Sequence, residues 1–203
     1  MALFTRPQLY ERVNNELRKS VGFEFPEKRA AEFLNEAKRV QKTFSERKYD
    51  VFLSHSSDDK VEVIGLKLLI EDLGYSVYID WINDPELDRT NVTKTNANVL
   101  RTRMKHCSVL FYAFSEHAAN STWMPWELGY FDGQKGLVAV IPISPNQART
   151  SFKGNEFIGL YPYVDFASMK GAAKNEMWVN ESSDVYVTYS EWIKGKNPYK
   201  RTS

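Results

Sequence analysis

In the stretch Ser121-Thr122-Trp123-Met124-Pro125-Trp126-Glu127-Leu128-Gly129-Tyr130, two tryptophans stand beside one carboxylate. Proline is tolerated in the first turn of a helix, where its missing N–H breaks no bond, so a helix is expected to open between Ser121 and Met124. Trp123 and Glu127 are then four residues apart on one face, with Trp126 turned about 100° further round. Glu127 stands roughly one turn in, close to the positive end of the helix dipole. Most helical glutamates are solvated side chains steadied by that dipole. This one is hemmed in by Trp123, Trp126, Leu128, Tyr130 and Phe131. A carboxylate in so apolar a setting must be paired, neutral or in use.

The elements that would position Glu127 alternate along the chain. Apolar strands are expected at Tyr49–Ser54, Tyr75–Ile79, Cys107–Phe114, Leu137–Ile143 and Leu160–Val164. Between the first two, Asp58 or Asp59 can cap a helix carrying Val61, Ile64, Leu68 and Leu69 that ends at Gly74. Another helix runs through Leu100 and Met104. Continuous apolar strands alternating with helices predict a parallel sheet covered on both faces. Ligands of such sheets bind at the carboxyl ends of the strands. Strand one exits into Ser54-His55-Ser56, strand two into Asp80-Trp81, and strand three into Ser115. These residues, with Trp123 and Trp126, are the candidate binding groups around Glu127. The serines after strand one fit equally well as hydroxyls that satisfy a helix N-terminus. The polar stretch from Asp80 to about Asn91, built around Pro85, reads as a lid or an interaction loop.

Other chemistries find no support. There is no Gly-x-x-x-x-Gly-Lys or Gly-x-Gly-x-x-Gly phosphate loop. The three histidines, His55, His106 and His117, lack zinc-type spacing, and a single cysteine cannot complete such a site, so no metal is expected. Cys107 begins a buried strand and reads as a packed thiol. The charge is balanced, with 27 basic and 26 acidic side chains giving a net +1, which offers no pull toward nucleic acid or an anionic membrane. One cysteine, no apolar run long enough to span a bilayer and no secretory pattern lead to an expected cytoplasmic location.

Residues 1–48 differ in texture, being rich in Glu, Arg, Lys and Ala. They are expected to form an N-terminal helical extension. One helix would cover about 6–20, with Leu9, Val13 and Leu17 in register. A second would follow Pro26, using Ala30, Phe33, Leu34, Ala37 and Val40. The extension either packs on the main domain or serves as an assembly surface. A helical piece is expected in the tail near Ser182 or from Ser190 onward.

Three motifs then resemble a known family. Tyr49-Asp50-Val51-Phe52-Leu53-Ser54-His55 is similar to the opening strand of Toll/interleukin-1 receptor (TIR) domains. Gly74-Tyr75-Ser76-Val77-Tyr78-Ile79-Asp80 is similar to their second strand, and the loop after it to their BB loop. Ser121-x-Trp123-x-x-Trp126-Glu127-Leu128 resembles their Trp- and Glu-Leu-bearing helix. The likeness covers about 49–165, within a domain taken as 49–203, and its look is that of a bacterial stand-alone TIR protein. It implies a flavodoxin-like α/β fold with five parallel strands and helices on both faces.

The family resemblance further implies cleavage of NAD⁺ at the nicotinamide–ribose bond, with Glu127 as the essential glutamate and NAD⁺ as substrate rather than cofactor. The products would be nicotinamide and ADP-ribose or a cyclic isomer. It also implies self-association through TIR–TIR contacts, and a role in antiphage defence with an effector that senses a nucleotide product. Some active members carry a basic side chain after the first strand, where this chain has His55 and Ser56. One carboxylate suffices for this chemistry. Glycosidases need a second because an alkoxide leaves, whereas nicotinamide departs as a neutral amide from a cationic ring. The remaining task is to offset a ribosyl cation and orient the sugar. Trp123, or Trp81 at the loop base, could cover the nicotinamide or ribose and exclude water, while Trp126 could equally be core. Two other functions are compatible with the same residues: a non-catalytic TIR scaffold and a nucleoside deoxyribosyltransferase-like enzyme.

Overall fold

The computed structural model describes residues 3–20, 47–87, 89–145, 151–154, 156–168 and 175–200. Strand β2 (Tyr49–Ser54) lies next to the edge strand of the parallel region, between β3 (Val77–Tyr78) and β4 (Cys107–Phe114). Next come β5 (Val138–Ser144) and β6 (Tyr163–Ser168), so the order β3-β2-β4-β5-β6 is parallel throughout. This is the expected α/β architecture. The strands are buried on both faces, which is why they read as unbroken apolar runs. Val51, Leu53, Val109, Phe111 and Ala113 face one core, while Phe52, Leu110 and Tyr112 face the other.

Helices α1 (Arg6–Ser20) and α2 (Lys60–Asp72) cover the first face. The helix expected over 6–20 is present, with Leu9 and Val13 buried. It lies against α2 at Gly65, where an added Cβ would stand 2.7 Å from the Leu9 carbonyl oxygen. Only glycine permits so close an approach of two backbones. Ahead of α1, the two-residue strand β1 (Phe4–Thr5) pairs in parallel with Ile143 and Ser144 of β5. The helix expected after Pro26 lies outside the described residues.

The second face is covered by α4 (Lys94–Lys105) and α5 (Trp123–Lys135), whose Leu100, Met104, Met124, Leu128 and Phe131 are buried. A short helix, α3 (Asp80–Asn83), opens the stretch after β3 that was expected to be loop throughout.

The sheet extends beyond the five strands expected. Strands β7 (Asn175–Asn180), β8 (Val185–Thr188) and β9 (Tyr199–Lys200) continue it in antiparallel fashion, giving nine strands among the described residues. The tail is therefore mainly strand rather than helix. Its one described helix, α6 (Tyr189–Trp192), spans four residues. The β-branched Val185, Val187 and Thr188 follow a turn in which Glu181 N–H reaches the Val185 carbonyl, and that pattern suits a hairpin. The last parallel strand begins at Tyr163 rather than Leu160, because 156–160 form a 3₁₀ turn.

One buried group sets a test of this extension. Asp165 on β6 is 1% exposed, and among the described residues neither carboxylate oxygen has a well-formed hydrogen bond, the Asn180 side chain giving only a weak pull against burial. Burial pushes its carboxyl up to about 6. The folded protein thus holds this proton more tightly than the unfolded chain, whose carboxyl titrates at about 3.9. The resulting stability is fully present below about pH 4 and is lost as pH rises through about 6, amounting to at most about 3 kcal/mol. Asp165→Asn is expected to raise the urea midpoint at pH 7 and to bring no gain at pH 4. Equal midpoints of variant and wild type at pH 7 would contradict this.

Candidate active site

Glu127 sits one turn into α5 with none of its surface exposed. Two donors reach it. Ser54 Oγ, at the end of β2, donates to Oε2 at 2.6 Å. Arg89 Nη2, from the loop after α3, donates to Oε1 at 2.6 Å. Burial pushes the Glu127 carboxyl above the usual range, and the Arg89 charge and the Ser54 hydrogen bond pull it back.

Arg89 is itself shared. Its Nη1 donates to Asp80 Oδ2 at 2.6 Å, and its carbonyl accepts from Trp123 Nε1 at 2.9 Å. Its guanidinium carbon lies 5.9 Å from the centroid of the Trp123 ring, within cation–π range. Asp80 is buried, and its Oδ1 accepts the Trp81 N–H at 2.8 Å. Two acids therefore share one guanidinium, and with both ionised the trio carries one surplus negative charge.

His55 fixes the floor of the site. Its Nδ1 donates to the Leu53 carbonyl at 2.8 Å, and its Nε2 accepts from Trp81 Nε1 at 2.6 Å. Indole N–H is only a donor, so Nε2 carries no proton and the ring is neutral. The 3.4 Å approach of Nε2 to Asp80 Oδ1 is then a near contact and not an ion pair.

A cavity of about 360 Å³ opens beside these groups, in the volume range of small-molecule sites. Its walls include His55, Ser56, Asp80, Trp81, Arg89 and Trp123, with Lys60, Asn120, Ser121 and Thr122 on other sides. Glu127 stands behind Arg89, off the wall itself. The cavity lies where β2 and β3 exit and where α2 and α5 begin, the position that strand-end logic predicts.

Of the residues singled out in the sequence, Ser54, His55, Ser56, Asp80, Trp81, Trp123 and Glu127 come together here. Trp126 does not. Its ring stacks on Tyr130 at 5.6 Å and meets the edge of Trp123 at 5.5 Å, with Arg101 over it at 5.3 Å, and it is not part of the cavity wall. Trp126 is turned about 100° from the face that Trp123 and Glu127 share. Ser115 is also elsewhere. It donates to Asp59, whose other oxygen meets His117 Nδ1 at 2.7 Å.

That second network explains a further difference. Asp59 precedes α2 but makes no capping bond, because Ser115 and His117 from the end of β4 take its carboxylate. Arg89 is the residue that sequence reasoning missed. The one available signal was an arginine set among Asp84, Glu86 and Asp88 in a loop next to a candidate site.

No protein-family model matches the chain. The chain is 29% identical over 96 residues to a protein of Cytobacillus dafuensis named provisionally as cyclic ADP-D-ribose synthase TIR2. That match spans 46% of this chain and 25% of the other. It is 43% identical over 194 residues to a protein of Bacillus cereus (strain MSX-D12) named "Probable 3′ cyclic ADP-D-ribose synthase ThsB′", covering 95% of this chain and 98% of that one. The chain belongs to the TIR family. In this TIR protein the basic group beside the glutamate comes from the loop after β3 and α3, not from the segment after the first TIR strand.

Among the described residues, Ser54 supplies one of two donors to the buried carboxylate. Ser54→Ala is expected to destabilise the TIR domain by about 1–3 kcal/mol, seen as a lower urea midpoint at pH 7. An unchanged midpoint would mean that this hydrogen bond is not needed to bury Glu127.

Proposed function

We propose that this TIR protein cleaves the nicotinamide–ribose bond of NAD⁺ and closes the remaining ADP-ribosyl group into a cyclic ADP-ribose isomer. The observation that carries the reading is a wholly buried glutamate behind a small-molecule cavity walled by two tryptophans, Trp81 and Trp123. The full-length likeness to a protein named as a cyclic ADP-D-ribose synthase supports it.

The chemistry follows from charge. Nicotinamide leaves with the electron pair of the C–N bond and becomes neutral, so no acid is required. The ribosyl group left behind is a cation. Glu127 offsets that charge and accepts hydrogen bonds from the ribose hydroxyls. Trp123 and Trp81 flank the cavity and shield the cation from water. A nucleophile of the same molecule, an adenine nitrogen or a ribose hydroxyl, then attacks C1′; attack by a hydroxyl releases its proton. Water arriving first would give ADP-ribose instead. NAD⁺ is the substrate, and no cofactor is needed.

NAD⁺ chemistry and a single unpaired cysteine fit a cytoplasmic protein. A cyclic nucleotide product calls for an effector that senses it, in keeping with a role in antiviral defence signalling. Self-association through TIR–TIR contacts is part of the same proposal, and Val92, Phe157 and Leu160 are exposed apolar side chains available to it. Among the described residues, no helix is long and apolar enough to cross a membrane.

Chromatography of NAD⁺ incubated with concentrated protein tests the activity. The expected products are nicotinamide and a nucleotide lighter than ADP-ribose by one water, and the 3′ isomer named for the Bacillus cereus relative is the first standard to compare. Glu127→Gln is expected to lower nicotinamide release by about 10³-fold while folding normally. Full turnover by that variant would remove Glu127 from the reaction.

A further inference from the structure

A glutamate buried as deeply as Glu127 tends to give up its charge, because burial is the largest influence on its carboxyl. A neutral carboxylic acid cannot offset a ribosyl cation. Whatever keeps this group ionised therefore belongs to the machinery.

The groups that face Glu127 can be taken element by element. Ser54, from β2, gives one neutral hydrogen bond. His55, after β2, is neutral because its Nε2 accepts from an indole. Tyr112, from β4, is held in its neutral form by burial. Asp80, from α3, is an acid and works against a second negative charge. Among these groups Arg89 brings the permanent positive charge and the larger pull, His55 adding a lesser one only when protonated.

Arg89 is also pinned at three points. Its two terminal nitrogens serve two different acids, each at 2.6 Å, and its carbonyl is tied to the Trp123 indole. Because the fork is divided, the bond to Glu127 can be given up while the bond to Asp80 remains. Glu127 has no exposed surface while Arg89 occupies Oε1, so that exchange has to occur before the carboxylate can meet a sugar. The surplus negative charge of the pair of acids suits a cationic guest.

We propose that Arg89 is a positioning residue of this reaction: it keeps the Glu127 carboxylate ionised and aimed at the cavity, then withdraws onto Asp80 as the cationic nicotinamide riboside enters. The proposal rests on the NAD⁺-cleaving reading of the site.

The test uses the full chain as wild type, Arg89→Gln and Arg89→Lys, with two readouts. One is nicotinamide release against pH. The other is direct titration of the glutamate carboxylates by ¹³C NMR, in which Glu127 is assigned by its loss in Glu127→Gln. Arg89→Gln is expected to move both the acidic limb of the rate profile and the Glu127 titration upward by about one to three pH units. Arg89→Lys keeps the charge but puts it on one nitrogen at the end of a shorter side chain, without the planar fork that reaches both acids, so it moves both in the same direction by less. Should Arg89→Gln not fold, the Arg89→Lys titration decides alone.

Variants that titrate like wild type at Glu127, with release lowered equally at every pH, would overturn the proposal. Faster release by Arg89→Gln across the whole range would also overturn it. Upward-shifted titrations with no nicotinamide from any form would sustain the hold of Arg89 on Glu127 and would sink the NAD⁺ reading instead.

Discussion

A carboxylate with no contact to water has to be held by donors from the protein, and at Glu127 there are two, Ser54 and Arg89. Everything around the site serves that pairing. Ser54 is the last residue of β2, and its position is set by parallel pairing with β4 on one side and β3 on the other. Glu127 projects from the first turns of α5, whose Met124, Leu128 and Phe131 are buried beneath it. Arg89 arrives from a loop and is brought to the same point by Asp80 and by the Trp123 indole. Strand, helix and loop thus meet at one ionised group. Each would place its residue differently if the sheet order changed.

The indoles have separate roles within this frame. Trp123 ties its N–H to the loop backbone and turns its ring toward the cavity, while Trp81 uses its N–H to set the tautomer of His55. Trp126 supports Trp123 from behind, through an edge contact, and stacks on Tyr130. Two of these three tryptophans therefore combine an apolar wall with a donated hydrogen bond, which is the usual advantage of tryptophan at a site that must be dry and ordered.

Much of this was legible in the residues. Unbroken apolar runs mark parallel strands buried on both faces, and the strand-end rule places Ser54, His55, Asp80 and Trp81 near one crevice. Glu127 stood out because its neighbours are aromatic. Other features were not legible, for physical reasons. The role of Arg89 depends on a loop conformation fixed by partners nine, thirty-four and thirty-eight residues away in sequence, which no local pattern records. Strand β1 has two residues, too few to show a period. Strands β7 (Asn-Glu-Met-Trp-Val-Asn) and β8 (Val-Tyr-Val-Thr) show no alternation of polar and apolar residues around their serine-rich turn, so no strand period marks them until β7 pairs with β6 and β8 with β7. Ser115 follows the strand-end rule, yet its hydroxyl is claimed by Asp59.

The central claim is that the Glu127 carboxylate meets the ribose once Arg89 withdraws from it. A crystal structure with a non-cleavable NAD⁺ analogue tests this most directly. The account predicts that the nicotinamide-side ribose hydroxyls bond to Glu127, that Arg89 remains on Asp80 alone, and that Trp81 or Trp123 covers the nicotinamide ring. An analogue seated with its ribose away from Glu127, while the Arg89–Glu127 pair stays intact, would contradict it.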